Sequence, residues 1–123
     1  MVLSDVQKLL DGQMFSGEEF LDRAVISAGA ADLMSDVLAF TRAGAVLLTG
    51  LVTVQTIQTA DIAELSALVF VRGKKPDKNI ISFAQEKKIP LMSTPYSMYE
   101  ACGILYRAGI PPTMKSLRTI EGA

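Results

Sequence analysis

Small and hydroxylated residues cluster at four places in the chain: Ser27-Ala28-Gly29, Thr49-Gly50-Leu51, Arg72-Gly73-Lys74-Lys75 and Ser93-Thr94-Pro95-Tyr96. Each closes or follows a short apolar run and precedes a stretch with helical spacing. Each is therefore expected at a strand-to-helix turn, where free helix N–H groups favour anions. From these turns Ser27, Gly29, Thr49, Gly50, Arg72, Gly73, Lys74, Ser93, Thr94 and Tyr96 are the candidate ligand-binding residues. The same residue types also serve such turns without any ligand, Gly by adopting positive φ and Ser or Thr by capping. Arg72, Lys74 and Lys75 form the strongest positive cluster. A guanidinium beside a glycine can take phosphate through forked, charge-assisted bonds; a solvated turn ahead of Pro76 is the alternative.

Other chemistry is sparse. With no His and a single Cys, Cys102, the chain cannot build an all-protein zinc site, a Ser-His or Cys-His relay, or an internal disulfide. Neither a Walker A pattern nor a Gly-x-Gly-x-x-Gly turn occurs. Asp32 and Asp36 stand four apart on an expected helix; they would share a face for Mg²⁺ and phosphate, or simply answer the helix dipole. No catalytic residue, metal site or cofactor is expected. Tyr99 and Tyr106, near a helical repeat, suit half-buried packing or a dimer surface. Cys102, set among Ala101, Gly103, Ile104 and Leu105, reads as a small core residue.

The elements that must position these turns follow from hydrophobic spacing. Ser4-Asp5-Val6-Gln7 fits a capping box and predicts a helix over 4–10. Ser16-Gly17-Glu18-Glu19 repeats the pattern and predicts a second, short helix, so residues 1–23 read as an N-terminal helical segment. Beyond it, apolar runs at 24–27, 45–49, 67–71 and 89–93 alternate with helix-period stretches at 32–42, 53–65, 77–88 and 96–108. Near-continuous apolar strands suit a parallel sheet covered on both faces. The expected fold is thus α/β: one domain over 1–123 with its core at about 24–109, four to five mostly parallel strands, and helices on both faces. Gly44 and Gly109 fall where helix C-caps would place them.

Composition narrows the classes. Of 123 residues, 50% are apolar and 20% charged, which argues against disorder. The net charge of −1 conceals a split: residues 1–66 carry nine acidic and three basic groups, residues 67–123 four and nine. That split makes either an anion-attracting face or two halves that attract each other. Nucleic-acid binding is not expected, because the basic groups of the Arg72 turn are few and not interleaved with aromatics. The eighteen uncharged residues from Ala43 to Ala60 include six Thr or Gln, so a membrane span is not expected either. The first residues lack a basic start and long apolar stretch, so a cytoplasmic location is expected.

Between about Asp32 and Gly109 stand Asp32-Leu33-Met34-Ser35-Asp36-Val37-Leu38, Leu47-Leu48-Thr49-Gly50, Arg72-Gly73 before Pro76-Asp77, Ile89-Pro90-Leu91, and Thr94-Pro95-Tyr96-Ser97-Met98-Tyr99-Glu100-Ala101. Through these motifs the stretch resembles the DRTGG domain family, found beside catalytic parts in some phosphotransacetylases and CBS-domain pyrophosphatases and similar to the N-terminal domain of HPr kinase/phosphorylase. The string that names the family is not spelled out: Thr49-Gly50-Leu51 stands where many relatives would put Gly-Asp-Arg, and Arg72-Gly73-Lys74 where they would put Thr-Gly-Gly. The chain looks most similar to short stand-alone members, some encoded near iron-hydrogenase subunits. The resemblance implies a non-catalytic regulatory or adaptor module, homodimeric, with a small anionic ligand such as a nucleotide expected at the strand-end turns. Two alternatives stay open: an assembly subunit docking a protein partner within a larger, hydrogenase-related complex, and a small phosphoryl- or acyl-transfer enzyme.

Overall fold

The computed structural model describes residues 1–114, in which five strands and five α-helices form three layers. The strands are β1 (Gln13–Ser16), β2 (Ser27–Ala30), β3 (Ala45–Thr49), β4 (Ala67–Phe70) and β5 (Leu91–Ser93). The helices are α1 (Leu3–Leu9), α2 (Met34–Phe40), α3 (Val54–Ile62), α4 (Lys78–Lys87) and α5 (Met98–Arg107). The sheet order is β1-β5-β4-β3-β2, with β2 to β5 parallel and β1 antiparallel to β5.

The apolar runs of β3 and β4 feed two cores at once. Val46 and Leu48 with Ala67, Val69 and Val71 join Leu3, Val6, Leu10, Ala101 and Leu105 on the α1/α5 face. Ala45 and Leu47 with Leu68 and Phe70 join Val37, Ile57, Ile80 and Ala84 on the α2/α3/α4 face. The strand's period of two thus sends alternate side chains to opposite layers, which is why neither strand shows a polar face.

The N-terminal segment differs from its expected form. Helix α1 begins one residue early, at Leu3, and Asp5 rather than Ser4 supports its start, its Oδ2 accepting the Val2 N–H at 2.9 Å. The short helix expected from Ser16 is instead an edge strand followed by a 3-10 turn at Glu18–Phe20. Ser16 does not cap; its buried hydroxyl donates to the Ile89 carbonyl at 3.1 Å. Gly17, at φ 83°, makes the turn where any Cβ would lie 2.5 Å from Pro90 Cα.

Strand β2 begins at Ser27 rather than at Ala24, and Ile26 is 65% exposed. The small residues Ser27-Ala28-Gly29-Ala30 make the strand because other chain lies close against them. A Cβ on Gly29 would meet Thr113 Cγ2 at 2.7 Å, and Ala28 exchanges backbone bonds with Pro111 and Thr113. Gly109, at φ 95°, follows the end of α5 as expected, whereas α2 ends at an extended Thr41 and Gly44 (φ 83°) shapes the entry to β3 instead.

Candidate functional site

Parallel pairing brings the carboxyl ends of β3, β4 and β5 side by side, with Thr49 opposite Phe70 and Phe70 opposite Ser93. Helices α3 and α4 pack in the same layer, while α5 lies across the other face. The chain leaving β4 and the chain leaving β5 therefore turn to opposite faces. Such a divergence is where an α/β sheet opens a crevice.

Here that divergence is laced shut by backbone. Arg72 and Gly73 both adopt left-handed conformations, φ 59° and 67°. This turns the Arg72 N–H onto the Tyr96 carbonyl at 2.8 Å and the Gly73 N–H onto the Thr94 carbonyl at 2.7 Å. A left-handed Arg is strained by roughly 1–2 kcal/mol, and these two bonds hold it there. Ser93 Oγ adds a third link, donating to the Lys74 carbonyl at 2.8 Å. Thr94 is fully buried; its hydroxyl donates to the Leu10 carbonyl at 2.6 Å and accepts from the Tyr96 N–H at 3.3 Å.

The turn after β3 is braced from both sides. Asp32 Oδ1 accepts from Thr49 Oγ1 at 3.0 Å and from the Gly50 N–H at 2.8 Å, while Lys74 Nζ donates to the Gly50 carbonyl at 2.7 Å. Thr49 Oγ1 also accepts the Leu51 N–H at 3.1 Å. A Cβ at Gly50 would lie 3.5 Å from Lys74 Nζ and 3.6 Å from Asp32 Oδ1, so both charged groups flank this peptide. The helix starts beyond are capped as well, α3 by Thr53, α4 by Asp77 and α5 by Ser97 with Glu100.

The structure thus brings together Thr49, Gly50, Arg72, Gly73, Lys74, Ser93, Thr94 and Tyr96, and separates two other candidates from them. Ser27 opens β2, paired with Ala45 at the opposite end of the sheet, and Gly29 lies within that strand rather than in a turn. The three hydroxyls of Thr49, Ser93 and Thr94 are engaged in holding turns to one another. Among the described residues, the groups of this cluster not engaged in bonds are the exposed Arg72 guanidinium, the Lys75 ammonium, the Tyr96 hydroxyl and the second oxygen of Asp32.

Asp32 is the residue that sequence reasoning passed over as a helix-dipole carboxylate. It precedes α2, so it shares no helix face with Asp36, which lines a cavity of about 330 Å³ with Val37, Phe40 and Ala28. The missing information was strand pairing: Ala30 is level with Leu48, so Asp32, two residues on, falls level with Gly50. Tyr99 and Tyr106 are exposed on α5 rather than half-buried. Cys102 is partly buried, and that burial raises its thiol above the ordinary value. Among the described residues no group of three or more Cys, Asp or Glu could hold a metal ion, and no helix is long and apolar enough to cross a membrane.

Four parallel strands in sequential order, crossed by helices on both faces and edged by one antiparallel strand, define a three-layer α/β domain whose charged groups gather at the strand ends. The chain belongs to the DRTGG domain family, whose model matches residues 5–108. The match reaches well into the N-terminal segment, beyond the Asp32–Gly109 stretch that carries the resemblance in sequence. Among solved structures, the chain is similar to the CBS and DRTGG domains of the regulatory region of Clostridium perfringens pyrophosphatase, a structure complexed with the activator diadenosine tetraphosphate. The TM-score is 0.72 at 18% identity, over 94% of this chain and 51% of that one, so the chain spans about half the length of that neighbour. No curated protein matches the chain.

Proposed function

We propose that the chain is a non-catalytic regulatory module, homodimeric and cytoplasmic, that senses a small anion such as a nucleotide at the turns following β3, β4 and β5. The observation that carries this reading is the turn at Arg72-Gly73-Lys74. Its strained backbone is fixed at the point where the chain diverges to the two faces, and it presents an exposed guanidinium there. Because the Arg72 and Gly73 amides and the Thr49, Ser93 and Thr94 hydroxyls are engaged within the fold, recognition rests on the Arg72 and Lys75 side chains and the Tyr96 hydroxyl, with Lys74 released from Gly50 as binding demands. Family membership and likeness to a regulatory region that binds a dinucleotide activator support the same reading.

The test is a melting-temperature screen of the purified chain against mono- and dinucleotides, inorganic phosphate, and acyl and sugar phosphates. A ligand at a hundred times its Kd adds about 2.7 kcal/mol to stability, several degrees for a domain of this size. A selective upward shift that Arg72→Ala removes is the expected result. A flat response across the panel at millimolar ligand overturns the sensing role and leaves the adaptor role to be pursued through protein partners.

A further inference from the structure

We infer that the dimer forms through α5, laid antiparallel against α5 of a second copy across a two-fold axis beside Gly103. The inference rests on the dimeric half of the proposed function and names its surface. Helix α5 buries Ala101 and Leu105 against the sheet and turns Tyr99, Gly103 and Tyr106 outward. Their spacing of four and three residues is that of a seam between paired helices. Tyr99 is 89% exposed and Tyr106 74%, an unusual state for two aromatic side chains on one face. Large aromatics of this kind are enriched where proteins meet.

Between the two tyrosines the helix carries no side chain. A Cβ at Gly103 would meet nothing within 4 Å, so the isolated fold has no steric reason for glycine in mid-helix, where it is disfavoured relative to alanine. Close approach of another backbone supplies a reason. The occupant is identified by charge. Glu100 and Arg107 lie on the same exposed face, two turns or ~10.5 Å apart, and among the described residues neither forms an ion pair. Glu100 Oε1 is engaged with Ser97, leaving Oε2. Reversing a second α5 about an axis between Gly103 and Ile104 sets Glu100 against Arg107 of its mate, twice by symmetry, whereas parallel alignment would set like against like. This self-complementarity is the signature of an isologous interface.

Sedimentation of the full chain over a wide concentration range tests the inference, with circular dichroism to verify folding. Gly103→Glu improves helix propensity, so the chain folds, yet it places two like charges at the axis. Arg107→Glu breaks both ion pairs, and the double variant Glu100→Arg/Arg107→Glu restores them with polarity reversed. The expected result is a wild-type dimer, with Gly103→Glu and Arg107→Glu each weakened at least about ten-fold, since each change acts twice, and the double variant returned to within about three-fold. A wild-type dimer whose Gly103→Glu and Arg107→Glu variants keep full affinity overturns the α5 interface but leaves the dimeric reading intact. Failure of the double variant to recover overturns the antiparallel register. A wild-type monomer at every concentration overturns the dimeric reading and the interface together.

Discussion

Asp32 offers the sharpest separation of structural from electrostatic roles. Its Oδ1 holds two donors, one from Thr49, a residue with no exposed surface, and one from the Gly50 amide at an exposed position. In Asp32→Ala the Gly50 N–H can turn to water, costing ~0.5–1 kcal/mol, while the less accessible Thr49 hydroxyl loses its acceptor at ~1–2 kcal/mol. The sum, roughly 1.5–3 kcal/mol, corresponds to a Tm lowered by about 5–15 °C for a domain of this length. Asp32→Asn keeps an acceptor oxygen at the same place and should cost under ~1 kcal/mol. It also deletes a negative charge beside Lys74. At a separation on the order of 7 Å in water that is worth ~0.6 kcal/mol, a two- to three-fold gain in affinity for any anion held by this cluster. Chemical denaturation read by circular dichroism, followed by titration with a ligand identified by the melting screen, measures both effects. Asp32→Ala within about 0.5 kcal/mol of wild type would refute the brace. Asn as damaging as Ala would show that charge, not the acceptor, holds the turn.

Three further outcomes are expected. Thr94→Val leaves the Leu10 carbonyl and Tyr96 N–H without their buried partner and should destabilise by about 2 kcal/mol, read as a lower denaturant midpoint with unchanged m-value. Gly17→Ala forces a Cβ against Pro90 at a positive φ, and should destabilise by more than the roughly 1 kcal/mol gained where Ala replaces an unstrained Gly; a neutral result would contradict the geometry of this corner. Cys102 has its thiol pushed above the ordinary 9.0 by burial, so the folded state retains a proton that the unfolded chain releases first. Its contribution to stability is accordingly full below pH 9.0 and declines as pH rises from there toward the folded value. Cys102→Ala should flatten that alkaline decline, and native Cys102 should react with thiol reagents at pH 8 more slowly than in urea.

The sequence disclosed the parts of the fold whose packing is two-sided. Ala45–Thr49 and Ala67–Phe70 are legible as strands because every side chain meets one layer or the other, leaving an unbroken apolar run. The edges were harder. β2 is built of Ser, Ala and Gly because Thr113 and the chain before it lie almost on its backbone, so the more apolar Ala24-Val25-Ile26 just upstream drew the assignment. β1 carries a Ser-x-x-Glu pattern at its end that resembles a helix start, and its partner β5 lies far along the chain, where no local signal reports it. In the candidate site the turns themselves were legible from Gly, Ser and Thr. The use of their hydroxyls as braces was not, since it depends on which strand lies beside which. Asp32 shows the same limit: its meaning comes from the register of β2 against β3.

The pairing of Gln13 with Ser93 also bears on the order in which the molecule can assemble. Residues 1–23 leave the ribosome before the rest of the domain, yet β1 has no partner, and Leu3, Val6 and Leu10 no complete core, until β5 and α5 have emerged. The β2–β5 unit can zip strand by strand through short crossovers, whereas the N-terminal arm must wait and then close a loop of most of the domain. The arm therefore acts as a clasp fastened last. Hydrogen exchange under native conditions should find β1 and α1 opening before β3 and β4, and during synthesis the waiting arm is the part most in need of protection from premature association.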